Sequence, residues 1–77
     1  MSYRLRVQEL TQARGLDQSK LARKAELAFK TVRTLWHNPY ADVQLSTLAR
    51  IARVLDVKIT DLIEDLPDAS ANPADHP

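Results

Sequence analysis

Apolar residues return every three or four positions along most of the chain, and the interruptions between these runs mark out helices. Tyr3, Val7, Leu10 and then Ala13 or Arg14 keep helical spacing, which predicts a first helix over residues 3–14. Gly15 is placed to close it in a left-handed conformation, with Leu16 just beyond as the apolar residue that folds back. Asp17 is a suitable N-cap for a second helix over 18–25, whose inward positions are Leu21, Ala22 and Ala25. Lys20 stands where a Glu would complete a capping box, so that cap is half made. The turn AELA leads to a third helix over 29–37, ended by Asn38 and Pro39, because proline cannot continue a helix and drives the residue before it toward extended backbone.

After the loop YADVQL, which offers Asp42 or Gln44 as a cap, a fourth helix over 45–55 turns Leu45, Leu48, Ile51, Ala52 and Leu55 inward, with Arg50 and Arg53 outward. ITDLIEDL predicts a short fifth helix carrying Ile59, Leu62, Ile63 and Leu66. No strand and no internal repeat are expected. The fold class is all-α, a compact five-helix bundle over residues 1–66. Residues 67–77 have three prolines and no large apolar side chain, and are expected to form a disordered acidic tail.

The third helix has two faces. Ala28, Phe29, Val32, Leu35 and Trp36 gather on one side and are expected to join the core. Lys30, Arg33, Thr34 and His37 gather on the other. Between the inward residues of the second and third helices lies only a short connection, and Ala22 and Ala25 are small enough to let the two helices cross closely, with Leu27 as an apolar plug beneath the crossing. That is the pattern of a helix-turn-helix unit, whose second helix presents its outer face to a major groove.

Composition narrows the function. A chain of 77 residues is one small domain, burying only roughly 60% of its unfolded surface, so a partner would help its stability. The absence of cysteine excludes disulfides, iron–sulfur clusters and thiolate zinc sites, and with only His37 and His76 no metal site is expected. No apolar run approaches the roughly 20 residues of a membrane helix, so a soluble, cytoplasmic protein without membrane association is expected. A single glycine rules out a glycine-rich phosphate loop, and no nucleophile–base pairing presents itself; no catalytic residue and no cofactor are expected. The net charge of +1 conceals an asymmetry: residues 1–53 hold ten basic and four acidic side chains (+6), and residues 54–77 hold one and six (−5). A basic body suits a polyanion.

GLDQSKLARKAELAFKTVRTLW, followed by LSTLARIARVLDVKITDLI, resembles the helix-turn-helix domain of the Cro and phage-repressor (Xre) family, from about Leu5 to Ile63. The resemblance rests on Gly15-Leu16-Asp17-Gln18, Leu21-Ala22, the spacing of Thr31, Val32 and Leu35, and the closing LARIARVLDV and DLI. It implies a lambda-repressor-like five-helix domain that binds double-stranded DNA sequence-specifically, commonly as a dimeric transcriptional regulator. It further implies that Gln18 bonds a phosphate, that Phe29, Lys30 and Thr34 occupy base-reading positions, and that His37 and Asn38 meet the DNA backbone. The chain departs from the family pattern at several points. Glu26 stands where the turn usually has glycine, and Ala28 replaces the usual hydroxyl cap of the third helix, at about 0.5–2 kcal/mol. Thr11 and Trp36 replace an Arg–Glu pair, as if an apolar contact had taken its place, and the loop Tyr40-Ala41-Asp42 lacks cations.

The chemistry of the residues extends that set. Lys30 and Arg33 reach guanine O6 and N7 or phosphate, a good base pairing giving about 1–3 kcal/mol of discrimination; otherwise they are solubilising charge. Thr31 and Thr34 touch a methyl or a phosphate, or merely fill helix surface. Phe29 packs partly in the core or meets a thymine methyl. The base-reading set is therefore Phe29, Lys30, Thr31, Arg33 and Thr34, with Gln18, His37 and Asn38 on phosphate. Arg4 and Arg6 either touch phosphate as an arm or solubilise the first helix. Trp36 is expected in the core. Two functions compete: a repressor acting as a homodimer on a palindromic operator, with Val57 and Ile59 near the dimer contact, and a protein-interaction module of the same fold, antitoxin-like or anti-repressor-like, whose partner is another protein. The charge at the centre of the exposed face favours DNA, since protein-binding faces centre on apolar anchors.

Overall fold

The computed structural model of the chain describes residues 2–66. The elements run β1 (Ser2–Leu5), α1 (Val7–Ala13), α2 (Gln18–Ala25), α3 (Phe29–His37), α4 (Leu45–Leu55), a 3-10 turn (Ile59–Leu62) and β2 (Ile63–Leu66). The second, third and fourth helices have the bounds their periodicity predicts. The expected tail lies outside the described residues.

The five-helix expectation is corrected at both ends: the described residues form four α-helices and a two-stranded sheet. The first helix begins at Val7, four residues later than expected, because Tyr3, Arg4 and Leu5 pair antiparallel with Asp65, Glu64 and Ile63. The Arg6 N–H then donates to the Leu62 carbonyl at 2.8 Å, and the Leu5 N–H to the Pro39 carbonyl at 2.7 Å, so the backbone of this segment is spent on remote partners and not on a first helical turn. In place of the fifth helix, the Asp61 carboxylate accepts from the Lys58 N–H at 3.1 Å and caps a single 3-10 turn, after which the chain extends as β2.

Leu5, Val7, Leu21, Val32, Leu35, Leu48, Ile51, Leu55 and Leu62 form one continuous core, with Ala22 and Ala52 where helices approach closely. Each large side chain fully buried there contributes roughly 1.5–3 kcal/mol. Trp36 and Leu27 pack partly against it, as expected. Thr11, not Ala13 or Arg14, takes the remaining inward position of α1. Leu45 is 66% exposed and Phe29 47% exposed, and Ala28 is exposed too, so none of these three joins the core. Both large residues open their helices, three positions before the first buried member of the stripe, Leu48 or Val32.

Three helices end in the same way. The Gly15 N–H donates to Gln12 and the Leu16 N–H to Thr11; Glu26 and Leu27 repeat the pattern onto Arg23 and Ala22, and Asp56 and Val57 onto Arg53 and Ala52. Gly15, Glu26 and Asp56 are the left-handed residues (φ 72°, 56° and 55°), and the apolar residue after each returns to the core.

Candidate functional site

The α2–turn–α3 unit is held at three places. At its start the Asp17 carboxylate accepts from the Lys20 N–H at 2.8 Å, while the N–H groups of Gln18 and Ser19 have no partner within the helix. In the turn, Glu26 adopts the left-handed conformation that glycine takes most easily, at roughly 1–2 kcal/mol of backbone strain. Arg50, on α4, donates from Nη1 to the Glu26 carbonyl at 3.1 Å and so ties the turn to the core. Periodicity marks Arg50 only as an outward cation; nothing local in the sequence announces that its guanidinium satisfies a carbonyl 24 residues away. Arg14 does the same for the other strained turn, donating to the Asp56 carbonyl at 3.4 Å. Both guanidiniums sit at helix C-termini, where the macrodipole favours positive charge.

The outer face of α3 carries Lys30, Arg33, Thr34 and His37 exposed. Among the described residues neither Lys30 nor Arg33 has an ion-pair partner. Thr34 Oγ1 donates to the Lys30 carbonyl at 2.9 Å, so its proton is used within the helix and its methyl and lone pairs face outward. Thr31 is half-buried and lines, with Lys30, Thr34, Asp42, Gln44 and Thr47, a groove between α3 and the loop before α4. Ala28 supplies no side-chain cap; the Thr31 N–H donates to its carbonyl at 3.0 Å, while the N–H groups of Phe29 and Lys30 find no partner within the helix.

Asn38 terminates α3, and its Oδ1 accepts from the Tyr40 N–H at 3.2 Å, leaving the amide NH₂ free to donate outward. Gln18 is half-buried at the head of α2, and His37 lies exposed on the last turn of α3. Thus Lys30, Arg33, Thr34 and His37 share one open face with Phe29 at its leading end, whereas Thr31 stands at its edge. Arg4 and Arg6 lie elsewhere in the charge balance: Arg4 Nη1 is 2.7 Å from Glu64 and 3.3 Å from Glu9, and Arg6 Nε is 3.4 Å from Glu9. The hydrogen bond to Glu64 raises the Arg4 pKa, with desolvation opposing it and the charges of Glu9 and Glu64 adding to it.

Tyr3, placed by helical spacing on the first helix, lies instead on β1 and holds the loop after α3. Its hydroxyl donates to the Ala41 carbonyl at 2.8 Å and lies 3.3 Å from Asp42 Oδ1, fixing the loop that walls the α3 groove. Desolvation, and then the charge and hydrogen bond of Asp42, raise the Tyr3 pKa. The signal for it was the alternation of Tyr3, Leu5 and Val7 with Arg4 and Arg6, a period of two and not of 3.6.

Among the described residues no three His, Asp or Glu side chains gather as a metal site, and no helix is long and apolar enough to cross a membrane. Among the described residues, α3 thus presents an exposed face whose Lys30 and Arg33 have no ion-pair partner, on a turn held by Arg50. The family model that describes the Cro/C1-type HTH DNA-binding domain matches residues 6–68. No curated protein matches the chain.

Proposed function

The chain belongs to the Cro/C1-type helix-turn-helix DNA-binding domain family, and from that premise we propose that it is a sequence-specific, cytoplasmic transcriptional regulator, acting as a repressor. In this reading α3 enters the major groove of double-stranded DNA. Lys30 and Arg33 donate to guanine edges, and Thr34 and Thr31 offer methyl and hydroxyl oxygen. Gln18, His37 and Asn38 bond phosphates on either side of the groove. The observation that carries the reading is the outer face of α3, where Lys30 and Arg33 are exposed and unpaired among the described residues. Acidic side chains elsewhere, Glu9 and Glu64, are spent on other arginines.

One helix reads only a few base pairs, so selectivity calls for two copies. A homodimer on a palindromic operator, with half-sites about 34 Å apart, meets that need, and occlusion of a promoter is the simplest outcome. Val57 and Ile59, the expected dimer contacts, are themselves partly packed on the core. A protein-binding module of the same fold is the second reading. It is favoured by an apolar groove bounded by Tyr3, Val43, Leu45 and Ile63. Selection of bound duplexes from a random pool at near-physiological salt decides between them. A recovered palindrome is the expected result; a folded protein that enriches no sequence would sink the DNA reading in favour of a protein partner.

A further inference from the structure

Large apolar side chains stand exposed at only three places among the described residues, Phe29, Tyr40 and Leu45, and only Phe29 lies on α3. It is the first residue of that helix, with almost half of its surface open to water and an exposed Ala28 before it. Side chains tilt toward the N-terminus of their helix, so the ring projects from the leading end of α3, ahead of Lys30 and Arg33. Resting on the DNA reading above, we infer that Phe29 is a specificity residue that selects thymine at one position of each half-site by packing on its C5 methyl group.

The inference follows from what a phenyl ring meets on a major-groove floor. Guanine, cytosine and adenine present only hydrogen-bonding edges there, and an apolar ring pressed on them strips water without replacing it. Thymine alone among the four bases presents a methyl group. N-terminal residues of the helix in the groove are those that reach base edges, and Phe29 is the foremost side chain of α3. Lys30 and Arg33 read guanine edges in the same proposal, which leaves the position under the ring to apolar contact alone.

The test uses the duplex recovered by selection, with each thymine replaced singly by deoxyuridine, which pairs identically but lacks the methyl. Wild-type protein should lose about fourfold in affinity at one thymine per half-site, the value of one buried methyl group, and little elsewhere. Phe29→Ala should bind the natural duplex more weakly and be indifferent to that same replacement. Phe29→Leu, which keeps an apolar side chain, should retain part of the discrimination. Because the replacement is made in the DNA, the first result does not depend on any variant folding. If wild-type protein binds its selected duplex yet tolerates every deoxyuridine, or if Phe29→Ala is as sensitive as wild type, the thymine assignment is overturned while DNA recognition stands. If no sequence is enriched at all, DNA recognition falls and the assignment falls with it.

Discussion

Thr11 is the one fully buried polar side chain among the described residues, and its Oγ1 has no hydrogen-bond partner. An unsatisfied buried hydroxyl costs roughly 1–3 kcal/mol, whereas valine has the same shape and asks for no partner. Thr11→Val should therefore raise stability by about 1 kcal/mol, read as a higher urea midpoint at unchanged m-value. Unchanged or lowered stability would mean that the hydroxyl is satisfied in solution. Tyr3 behaves in the opposite sense. Desolvation and Asp42 raise its pKa, so the folded chain holds the phenolic proton more tightly than the unfolded chain does. That contribution is complete below the unfolded value, near 10, and is lost as pH rises through the higher folded value. The urea midpoint should fall above about pH 10 in the wild type, and the fall should be smaller in Tyr3→Phe, which gives up its bond to the Ala41 carbonyl already at neutral pH.

At the scale of elements, the helices that could be read from the chain are those whose determinants are local. Asp17 caps α2, Pro39 stops α3, and the arc Leu48, Ile51, Ala52 and Leu55 sets α4, all within a few residues of the boundary concerned. The strands are different: the alternation of Tyr3, Leu5 and Val7 is local, but β1 pairs with a segment about sixty residues distant, and the register from Ser2↔Leu66 to Leu5↔Ile63 is decided by closure of the whole domain. The same distinction runs through the site. The cationic stripe of α3 follows from spacing alone, but the hold of Arg50 on the Glu26 carbonyl does not. Helix ends fall between these cases: Gly15-Leu16 announces its turn, while Glu26-Leu27 and Asp56-Val57 build the same turn without glycine. The left-handed backbone costs a residue other than glycine roughly 1–2 kcal/mol, and glycine gives back roughly 0.5–1 kcal/mol in the unfolded chain. Glu26→Gly should thus stabilise the domain by about 0.5–1 kcal/mol in urea unfolding, and Asp56→Gly by less, since aspartate tolerates this region better. An equal or larger gain at Asp56 would show that strain is not what separates the two turns.

For the molecule as a whole, the sorting of charge decides how DNA affinity should respond to salt. The net charge is only +1, and at physiological ionic strength charges beyond about 8 Å are screened, so attraction must come from the cations at the interface and not from the protein's overall field. Each cation that neutralises a phosphate contributes about 0.9 to the slope of log affinity against log salt. Three kinds of contact then separate cleanly. With Gln18 on phosphate as proposed, Gln18→Ala removes an uncharged contact, so all duplexes should weaken alike with the slope unchanged. With Lys30 on a base as proposed, Lys30→Ala should relax preference at one position of each half-site while the slope stays nearly constant. Were Lys30 instead on phosphate, the same substitution would leave the preferred sequence intact and flatten the slope by about 0.9 per protomer, and α3 would have to be turned in the groove to bring Arg33 and Thr34 to the bases. Measuring both variants on the selected duplex and on one unrelated duplex, across a range of salt, distinguishes the two orientations of the reading helix.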